Sequence, residues 1–544
     1  DPTNCDGGTA EVNGDDYGTA GDDSYEIDGS ISGNVDLDSG NDSLSVCGGA
    51  DVVDLGDGTD SLTVGGTVLG IVFGDGEGVV NIGGNVDGRI DSSNDDGTPK
   101  TVVVEGSVND EIDMGGGDDD ITIGGDAAAN VNLQGGTDSL DIRGNANGQI
   151  NADQNGGDTT VRVLGSVDEE INLGDADDTV EVGGDTADVT LKAGANTLDV
   201  GGSILGSVTA DDNSFGTSVT VGVDITGVAD LSDGDDSLIV GGNAGDINTE
   251  KGSDIVEVTG SVNGFLRADD DGSGGSFTVG GNVAGETDLT DGNDTLSVDG
   301  NTGAINTEKG SDTVDVGGKV TGLIEQDDNG AGITLTVGNG VDGRLDLSHG
   351  DDTVTITGDV IYSGSSNPAI NSEQGSDSIT VTGSVLGGKI EADDDGGGAF
   401  YDIGGNVDGN IDLSDGNDTL IIGGDMTGGV LNTEKGVDSV TVQGDVIANV
   451  EQDDDGGGLE LEIAGNFTGD LDGSDAPDRF IIAGTYSAGT FNGEQEDDTL
   501  WLKSYSQSDW DADVDNIRTS LNSIENVKAR SEERRVGKEC TLRC

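Results

Sequence analysis

The chain has 544 residues, of which 100 are Gly and four are Pro, and aromatic residues make up only 3%. The glycines follow no three-residue period, which excludes collagen, and no run reaches the roughly 20 apolar residues of a membrane helix. The net charge of −90 repels nucleic acid and anionic membranes and attracts cations. Acidic chains are often disordered, but the hydrophobic residues, 31% of the chain, recur at regular spacing. This spacing favours a folded repeat.

The two ends of the sequence differ from its middle. There is no initiator Met and no basic-then-apolar leader, as expected of a mature secreted protein or a recombinant fragment. Cys5 and Cys47 either form a disulfide or remain two free thiols. The final SEERRVGKECTLRC has a foreign, basic composition that resembles a fusion scar. We therefore predict an N-terminal cap with the first coils at 1–50, repeats at 51–480, a C-terminal cap at 481–529 and a non-native tail at 530–544.

An acidic, glycine-punctuated phrase is the main signal along the chain. It reads DLSDGDDSLIVGGN from Asp230, DLTDGNDTLSVDGN from Asp288 and DLSDGNDTLIIGGD from Asp412. Its copies begin about 58 residues apart, at Asp54, Asp113, Asn172, Asp230, Asp288, Asp346 and Asp412. One longer step carries an insertion between Val360 and Asn371. A fixed period of this kind predicts a stacked repeat architecture.

Each period contains three sub-repeats of about 19 residues. Type A is the phrase above, type B is INTEKGSDIVEV from Ile247, and type C is an acidic triplet with glycines, ADDDGSGG from Ala268. In type A, Leu296 and Val298 alternate and are predicted to face inward, while Gly300 turns a corner. Short strands joined by tight corners predict an all-β fold, a right-handed parallel β-helix or β-solenoid with coils of about 19 residues. The alternative is one turn per 58 residues with three similar faces.

Stacking identical coils creates an electrostatic problem. Equivalent Asp residues in adjacent coils would lie about 5 to 10 Å apart, and they would repel each other unless neutralised. Calcium takes six to eight oxygens from carboxylates and carbonyls. In type A, Gly292 would direct a carbonyl toward the ion, and Asp291 and Asp294 would supply carboxylates from the outer side of the turn. Asp57, Asp233 and Asp415 occupy the position of Asp291 in other copies.

The segments G-N-D-T-L (Gly292 to Leu296), G-D-D-S-L (from Gly234), G-T-D-S-L (from Gly58) and G-S-D-I-V (from Gly252) share the pattern G-x-D-x-U, where U is large and apolar. The pattern resembles the nonapeptide G-G-x-G-x-D-x-U-x of the repeats-in-toxin calcium β-rolls, and the chain is also similar to adhesin-type β-helices. The resemblance implies that the motif Asp and glycine carbonyls of adjacent turns hold Ca²⁺. The implied ligands are Asp60, Asp119, Asp178, Asp236, Asp294, Asp352 and Asp418 in type A, and Asp138, Asp254, Asp312, Asp377 and Asp438 in type B.

The chain departs from that family in two ways. Only one half-motif occurs per 19 residues, where the family has two in 18, and type C carries Asp269-Asp270-Asp271 instead of the motif. The alternative to specific calcium sites is a salt-adapted acidic surface that binds water and monovalent ions.

The function predicted from these features is structural. We expect an extracellular calcium-binding solenoid that serves as an adhesin, surface-layer, stalk or matrix-fibre module. Its expected partners are further copies of the chain, in fibres or layers, and the cell surface or its polysaccharide. Nucleic acid and membrane insertion are not expected. The alternatives are a polysaccharide-processing β-helix enzyme and a calcium-buffering or mineral-templating surface. No catalytic constellation stands out, and the single histidine, His349, replaces an Asp in one type A turn.

Overall fold

A computed structural model describes most of the chain, and every regular element in the described residues is a β-strand. No helix in that part is long and apolar enough to cross a membrane. The described residues are 12–13, 18–92, 97–152, 156–211, 215–231, 233–268, 273–289, 291–326, 331–347, 349–364, 367–392, 397–413, 415–453, 455–487, 489–506, 521–522, 524, 526–530 and 540–543. The type C triplet at 269–271, Cys5 and most of the tail at 530–544 lie outside them.

The chain divides into an N-terminal unit, 1–268, and a C-terminal unit, 269–544. Each coil of the N-terminal unit supplies one strand to each of two parallel sheets. The first sheet contains Ser24–Ile27, Ser43–Val46, Asp60–Val64, Gly78–Ile82, Lys100–Val104, Asp120–Ile123, Ser139–Ile142, Thr160–Val163, Thr179–Val182, Thr197–Val200, Ser218–Val221, Ser237–Val240 and Ile255–Val258. The second contains Val35–Asp36, Ala50–Asp54, Val68–Val72, Ile90–Asp91, Ile112–Asp113, Val131–Gln134, Ile150–Ala152, Ile171–Asn172, Val189–Lys192, Val208–Ala210, Ala229–Asp230, Ile247–Asn248 and Leu266–Arg267. Val12–Asn13 pairs with Ile31–Ser32.

The C-terminal unit has the same two sheets, but several of its coils supply two short strands to the second sheet. Its first sheet contains Ser276–Val279, Thr295–Val298, Thr313–Val316, Thr334–Val337, Thr353–Ile356, Ser378–Val381, Phe400–Ile403, Thr419–Ile422, Val437–Val442, Gly458–Ile463, Arg479–Ile482, Thr499–Ser506 and Asn526–Arg530, followed by the antiparallel Cys540–Arg543. Its second sheet contains Thr287–Asp288, Ile305–Asn306, Ile324–Glu325, Leu345–Asp346, Val360–Ile361, Ile370–Asn371, Val385–Leu386, Ile390–Glu391, Val407–Asp408, Ile411–Asp412, Met426–Asn432, Val446–Glu451, Phe467–Thr468, Leu471–Asp472, Phe491–Asn492 and Leu521–Asn522.

Apolar and polar residues alternate along each strand, and this alternation determines which side chains face the interior of the coil and which face solvent. Leu296, Val298 and Ile305 are each 1% exposed, and Leu296 pairs in register with Val314 of the next coil. Equivalent aliphatic residues therefore stack into continuous rows inside the coils, where they are removed from water. The predicted parallel β-solenoid with coils of about 19 residues is confirmed, whereas its right-handed sense stays a prediction.

Two devices hold successive corners together. Gly310 has a φ of +150°, and a Cβ atom there would lie 1.8 Å from the carbonyl oxygen of Gly292, so only glycine allows the turns to stack this closely. At the G-G-N corner, the Oδ1 atom of Asn282 accepts the N–H of Asn301 at 2.7 Å, and Asn301 Oδ1 accepts the N–H of Lys319 at 2.8 Å. Short polar side chains at this corner thus bind the backbone of the following coil.

The N-terminal end contains a covalent link. Cys47 is disulfide-bonded, which replaces the free-thiol alternative for this residue, while the predicted partner, Cys5, lies outside the described residues.

Candidate functional site: two columns of acidic residues

The motif aspartates form a buried column, and the expectation that Asp294 lies on the outer side of its turn is wrong. Asp294 is only 2% exposed, and the equivalent residues in other coils are at most 4% exposed. We call this set the buried column. Its members that were predicted as calcium ligands are Asp60, Asp119, Asp138, Asp178, Asp236, Asp254, Asp294, Asp312, Asp352, Asp377, Asp418 and Asp438.

Each column carboxylate accepts a hydrogen bond from the backbone of the preceding coil. The Oδ1 atom of Asp294 accepts the N–H of Gly275 at 2.6 Å, and the N–H of Asp294 donates to Asp312 Oδ1 at 2.9 Å. The same chain of bonds runs from Ile333 through Asp352 to Asp377, at 2.8 and 3.0 Å. A buried N–H without an acceptor would be destabilising, so these carboxylates join one coil to the next.

The column also gives a reason for the 58-residue period. In most type C coils the aspartate is replaced by an uncharged residue, such as Gly275, Ile333, Ala399 or Leu459, whose N–H donates to the following type A aspartate. In the C-terminal unit buried carboxylates therefore occur as type A and type B pairs separated by a neutral coil, whereas in the N-terminal unit Lys100 occupies one type C position and Asn196 one type B position. A third adjacent carboxylate would add more like charge in a desolvated place.

Burial raises the pKa of these carboxyl groups above the ordinary value of 3.8. The pKa rises to about 8 for Asp352, about 7 for Asp178 and Asp438, and about 6 for Asp138 and Asp312. In each case desolvation is the largest cause, and the backbone N–H bond opposes it because it favours the charged form. These carboxyl groups hold protons more readily than ordinary aspartates do.

The second carboxyl oxygen of each motif aspartate, Oδ2, is the atom that is available to a cation inside the turn. The Oδ2 atoms of Asp138, Asp178 and Asp352 are buried and accept no hydrogen bond within the described part of the chain. In two type B turns the chain supplies its own donor, because Gln326 Nε2 donates to Asp312 Oδ2 at 2.6 Å and to the carbonyl of Gly310 at 3.1 Å. Gln452 does the same for Asp438, at 2.7 Å. An amide therefore occupies the place between carboxylate and glycine carbonyl that the resemblance implies for calcium.

Lys100 supplies an internal cation in the N-terminal unit. It is 1% exposed, and its ammonium donates to Thr98 Oγ1 at 2.9 Å and to the carbonyl of Gly76. It also opposes the rise in the pKa of Asp60, which burial raises to about 6. A buried ammonium needs such partners, and here the charge of Lys100 partly offsets a buried carboxylate.

The aspartates predicted at the Asp291 position are engaged with protein groups. Lys309 Nζ lies 2.9 Å from Asp291 Oδ1, Lys435 lies 2.9 Å from Asp415, and Lys251 lies 3.6 Å from Asp233. Asp57 accepts the N–H of Asp75 at 3.1 Å. In the coil where His349 replaces this aspartate, Gln374 replaces the lysine of the following turn. In this one coil the acid and the base are therefore lost together.

Within the described ranges, no group of three or more His, Cys, Asp or Glu side chains is placed to hold one metal ion. The Oδ1 oxygens of the motif aspartates already accept backbone N–H groups, whereas Ca²⁺ takes six to eight oxygens. The role of these residues as calcium ligands stays a prediction.

A second column faces outward from the second sheet of the C-terminal unit. We call it the acidic stripe, and in register order it consists of Asp288, Asn306, Glu325, Asp346, Asn371, Glu391, Asp412, Asn432, Glu451 and Asp472. Asn306 Nδ2 donates to Asp288 Oδ1 at 3.0 Å and to Glu308 of its own turn. One amide thus lies between two carboxylates, and Asn371 and Asn432 repeat the arrangement.

Sequence reasoning missed the side chains that complete the turns. Lys100 and Gln326 were not singled out, and neither was Tyr401, which is fully buried and lies 2.8 Å from Ser372 Oγ through its Oη atom. Aligning the coils column by column would have shown Lys100 at a motif-Asp position. It would also have shown Tyr401 in a coil whose turn carries the small Ala392 instead of Gln.

Comparisons with known proteins add little to these observations. No protein-family model matches the chain, and no curated protein matches it. A solved crystal structure of a hyperactive, Ca²⁺-dependent, β-helical antifreeze protein from an Antarctic bacterium matches with 15% identity, over 94% of this chain and 89% of that chain, at a TM-score of 0.16. A TM-score this low carries no argument about function. The strand register of the chain itself shows that this is a β-solenoid repeat protein.

Proposed function

We propose that the chain is an extracellular structural repeat protein whose coils are stabilised by cations, calcium among them, held on the acidic stripe. One observation carries the proposal: carboxylates face each other in register across neighbouring strands. Glu325 pairs with Asp346, Glu391 with Asp412, and Glu451 with Asp472.

Like charges directly opposite each other destabilise a sheet. Basic side chains relieve part of this repulsion, since Arg344 contacts Asp346 and Lys389 contacts Glu391. Glu451 and Asp472 are exposed, and within the described residues neither forms an ion pair. A divalent cation bound between two such carboxylates would turn a repulsion between coils into an attraction.

This chemistry suits a secreted scaffold. Where calcium is scarce the acidic coils repel one another, and outside the cell cations would neutralise the stripe and tighten the stack. An adhesin, surface-layer, stalk or matrix-fibre module would use such stiffening mechanically, and a net charge of −90 would keep uncomplexed chains apart.

Thermal melting of the full chain tests the proposal. We expect millimolar Ca²⁺ to raise the melting midpoint above that in EDTA at equal ionic strength, because bound ions stabilise the folded state in proportion to their occupancy. The double variant Glu451→Gln/Asp472→Asn should lose part of the calcium increment, whereas Asp438→Asn, in the buried column of a nearby coil, should keep it. If Asp438→Asn alone reduces the increment, the motif aspartates are the ligands and the stripe is not.

A salt-adapted surface without specific calcium sites is the second candidate. This candidate is favoured because, within the described ranges, no three His, Cys, Asp or Glu side chains are grouped so that they could hold one metal ion. In that case NaCl would raise the midpoint by screening alone, and millimolar Ca²⁺ would add nothing beyond its ionic strength.

A further inference from the structure

Part of one face of the C-terminal unit, across six consecutive strands, carries little charge. The first and third residues of six consecutive strands point outward from the first sheet, and most of them are exposed. Eleven of the twelve are Ser or Thr, and we call this set the hydroxyl face: Ser276, Thr278, Thr295, Ser297, Thr313, Asp315, Thr334, Thr336, Thr353, Thr355, Ser378 and Thr380.

The register of the strands orders these hydroxyl groups in two dimensions. Thr334 pairs with Thr353, and Thr336 with Thr355, so equivalent hydroxyls repeat about every 4.8 Å across the strands and about every 6.6 Å along them. Threonine is β-branched and has few χ1 rotamers. The face is therefore preorganised, and little side-chain entropy is lost when a ligand binds it.

The middle of the same sheet in the N-terminal unit is charged instead. Its outward positions there include Asp141, Arg162, Glu181 and Asp199 in successive coils, with Arg162 bound to both Asp141 and Glu181 at 3.1 Å. The acidic stripe covers the outside of the second sheet in the C-terminal unit. The hydroxyl face, with the single carboxylate of Asp315, is thus an area of low charge on a strongly acidic molecule.

An exposed aromatic ring extends the hydroxyl face at one edge. Phe400 is 38% exposed, and it follows Ser378 and precedes Thr419 in strand register; the other outward residue of its strand is Asp402. A flat apolar ring beside rows of hydroxyl and methyl groups offers both contacts that a sugar ring uses, namely hydrogen bonds for its hydroxyls and an aromatic surface for its C–H face.

We propose that the hydroxyl face, together with Phe400, binds an uncharged polysaccharide. Charge selects this class, because an anionic polymer is repelled by the chain and a cationic polymer would bind the acidic stripe instead. A second copy of the chain is disfavoured by area, since six strands of four residues cover about 400 Å², half of the roughly 800 Å² per partner of a standard interface. The proposal goes beyond cation binding and does not depend on it.

Sedimentation with insoluble polysaccharide tests the proposal on the full chain. The probes are microcrystalline cellulose, chitin and starch granules in EDTA, with carboxymethyl-cellulose resin as the matched anionic control. We expect the chain to bind at least one of the uncharged probes and not the carboxymethyl-cellulose. Thr336→Glu/Thr355→Glu and Phe400→Ala should each weaken that binding at least about tenfold in apparent Kd.

Matched variants in the N-terminal unit serve as controls. Thr220→Glu places a charge at an outward position of the first sheet there, and Phe215→Ala removes a ring that is 84% exposed; both should bind like the unmodified chain, with melting midpoints showing that all variants fold. The proposal is overturned if the chain binds none of the uncharged probes, or if the hydroxyl-face variants bind as well as the controls do. Dimers that only the hydroxyl-face variants abolish would also overturn it, in favour of a second copy.

Discussion

Asp294 and Asp288 belong to the same coil and have opposite environments. Asp294 lies in the buried column, 2% exposed, and accepts a backbone N–H from the preceding coil. Asp288 lies in the acidic stripe, half-buried at the surface, and accepts the side-chain amide of Asn306 in the following coil. Two aspartates of one coil therefore have different roles: one joins adjacent coils, and the other faces solvent and cations.

The difference teaches that in a stacked fold the role of an acidic residue depends on which side of the turn it occupies. Inside the turn, a carboxylate accepts a backbone hydrogen bond, and desolvation of its charge is destabilising. Outside the turn, the carboxylate is solvated, and repulsion from the carboxylate paired with it in register is destabilising. Substitutions in the two columns should therefore differ in size, in pH dependence and in response to cations.

The largest contrast is expected between Asp352→Ala and Asp346→Ala. The first change leaves the N–H of Ile333 buried without its acceptor, and we expect it to lower the free energy of unfolding by about 1–3 kcal/mol. The second removes a half-buried carboxylate that pairs with Arg344 and accepts the Asn371 amide, and it should cost less, about 0.2–1 kcal/mol. Urea denaturation at constant slope measures both. Equal losses in the two variants would remove the distinction between the columns.

The pH dependence should sharpen the same contrast. Burial raises the pKa of Asp352 from 3.8 to about 8, so the folded chain holds a proton that the unfolded chain has already released. The stabilisation from this group is complete below its unfolded pKa and is lost as pH rises through the folded pKa. The unfolding free energy should thus fall between about pH 4 and pH 8. Asp352→Asn should flatten this slope, and Asp346→Asn should not.

A smaller effect is expected from the amide that serves one buried carboxylate. Gln452→Ala removes the donor to Asp438 Oδ2, and we expect a loss of about 1 kcal/mol together with a further rise in the pKa of Asp438. Gln443→Ala, at an exposed corner of a neighbouring turn, is the control. An unchanged denaturation midpoint for Gln452→Ala would show that this hydrogen bond does not contribute.

The smallest effect is expected at the exposed ion pairs. Lys309→Ala breaks the contact with Asp291, and partly exposed pairs of this kind contribute about 0.2–1 kcal/mol. A double-mutant cycle with Asp291→Ala should give a coupling energy in that range that falls as salt is added. A coupling that is insensitive to salt would mean that the pair is not primarily electrostatic.

Sequence periodicity was sufficient for the fold. The spacing of the acidic phrase predicted the coil length and the three-coil period, and the alternation around Leu296 and Val298 predicted which side chains fill the core. These features depend on residue type and period alone, since strand side chains alternate between two faces.

The candidate site was less predictable because turns have no comparable period. The position of Asp294 in the sequence does not reveal whether its carboxylate faces outward or back to the N–H of Gly275, since that depends on how the preceding coil stacks. Lys100 and Gln326 act across coils, on partners 24 and 14 residues away. Such contacts appear only once the coils are aligned in register.

Hydrogen exchange at the Ile333 amide tests the central claim most directly, namely that the motif aspartates are buried acceptors for the neighbouring coil. Exchange of the peptide containing Ile333 is compared in the unmodified chain, Asp352→Ala and Asp346→Ala by mass spectrometry at constant calcium and pH. The account predicts strong protection in the unmodified chain and in Asp346→Ala, and faster exchange confined to this peptide in Asp352→Ala. Unchanged protection in Asp352→Ala, or equal loss in Asp346→Ala, would contradict it.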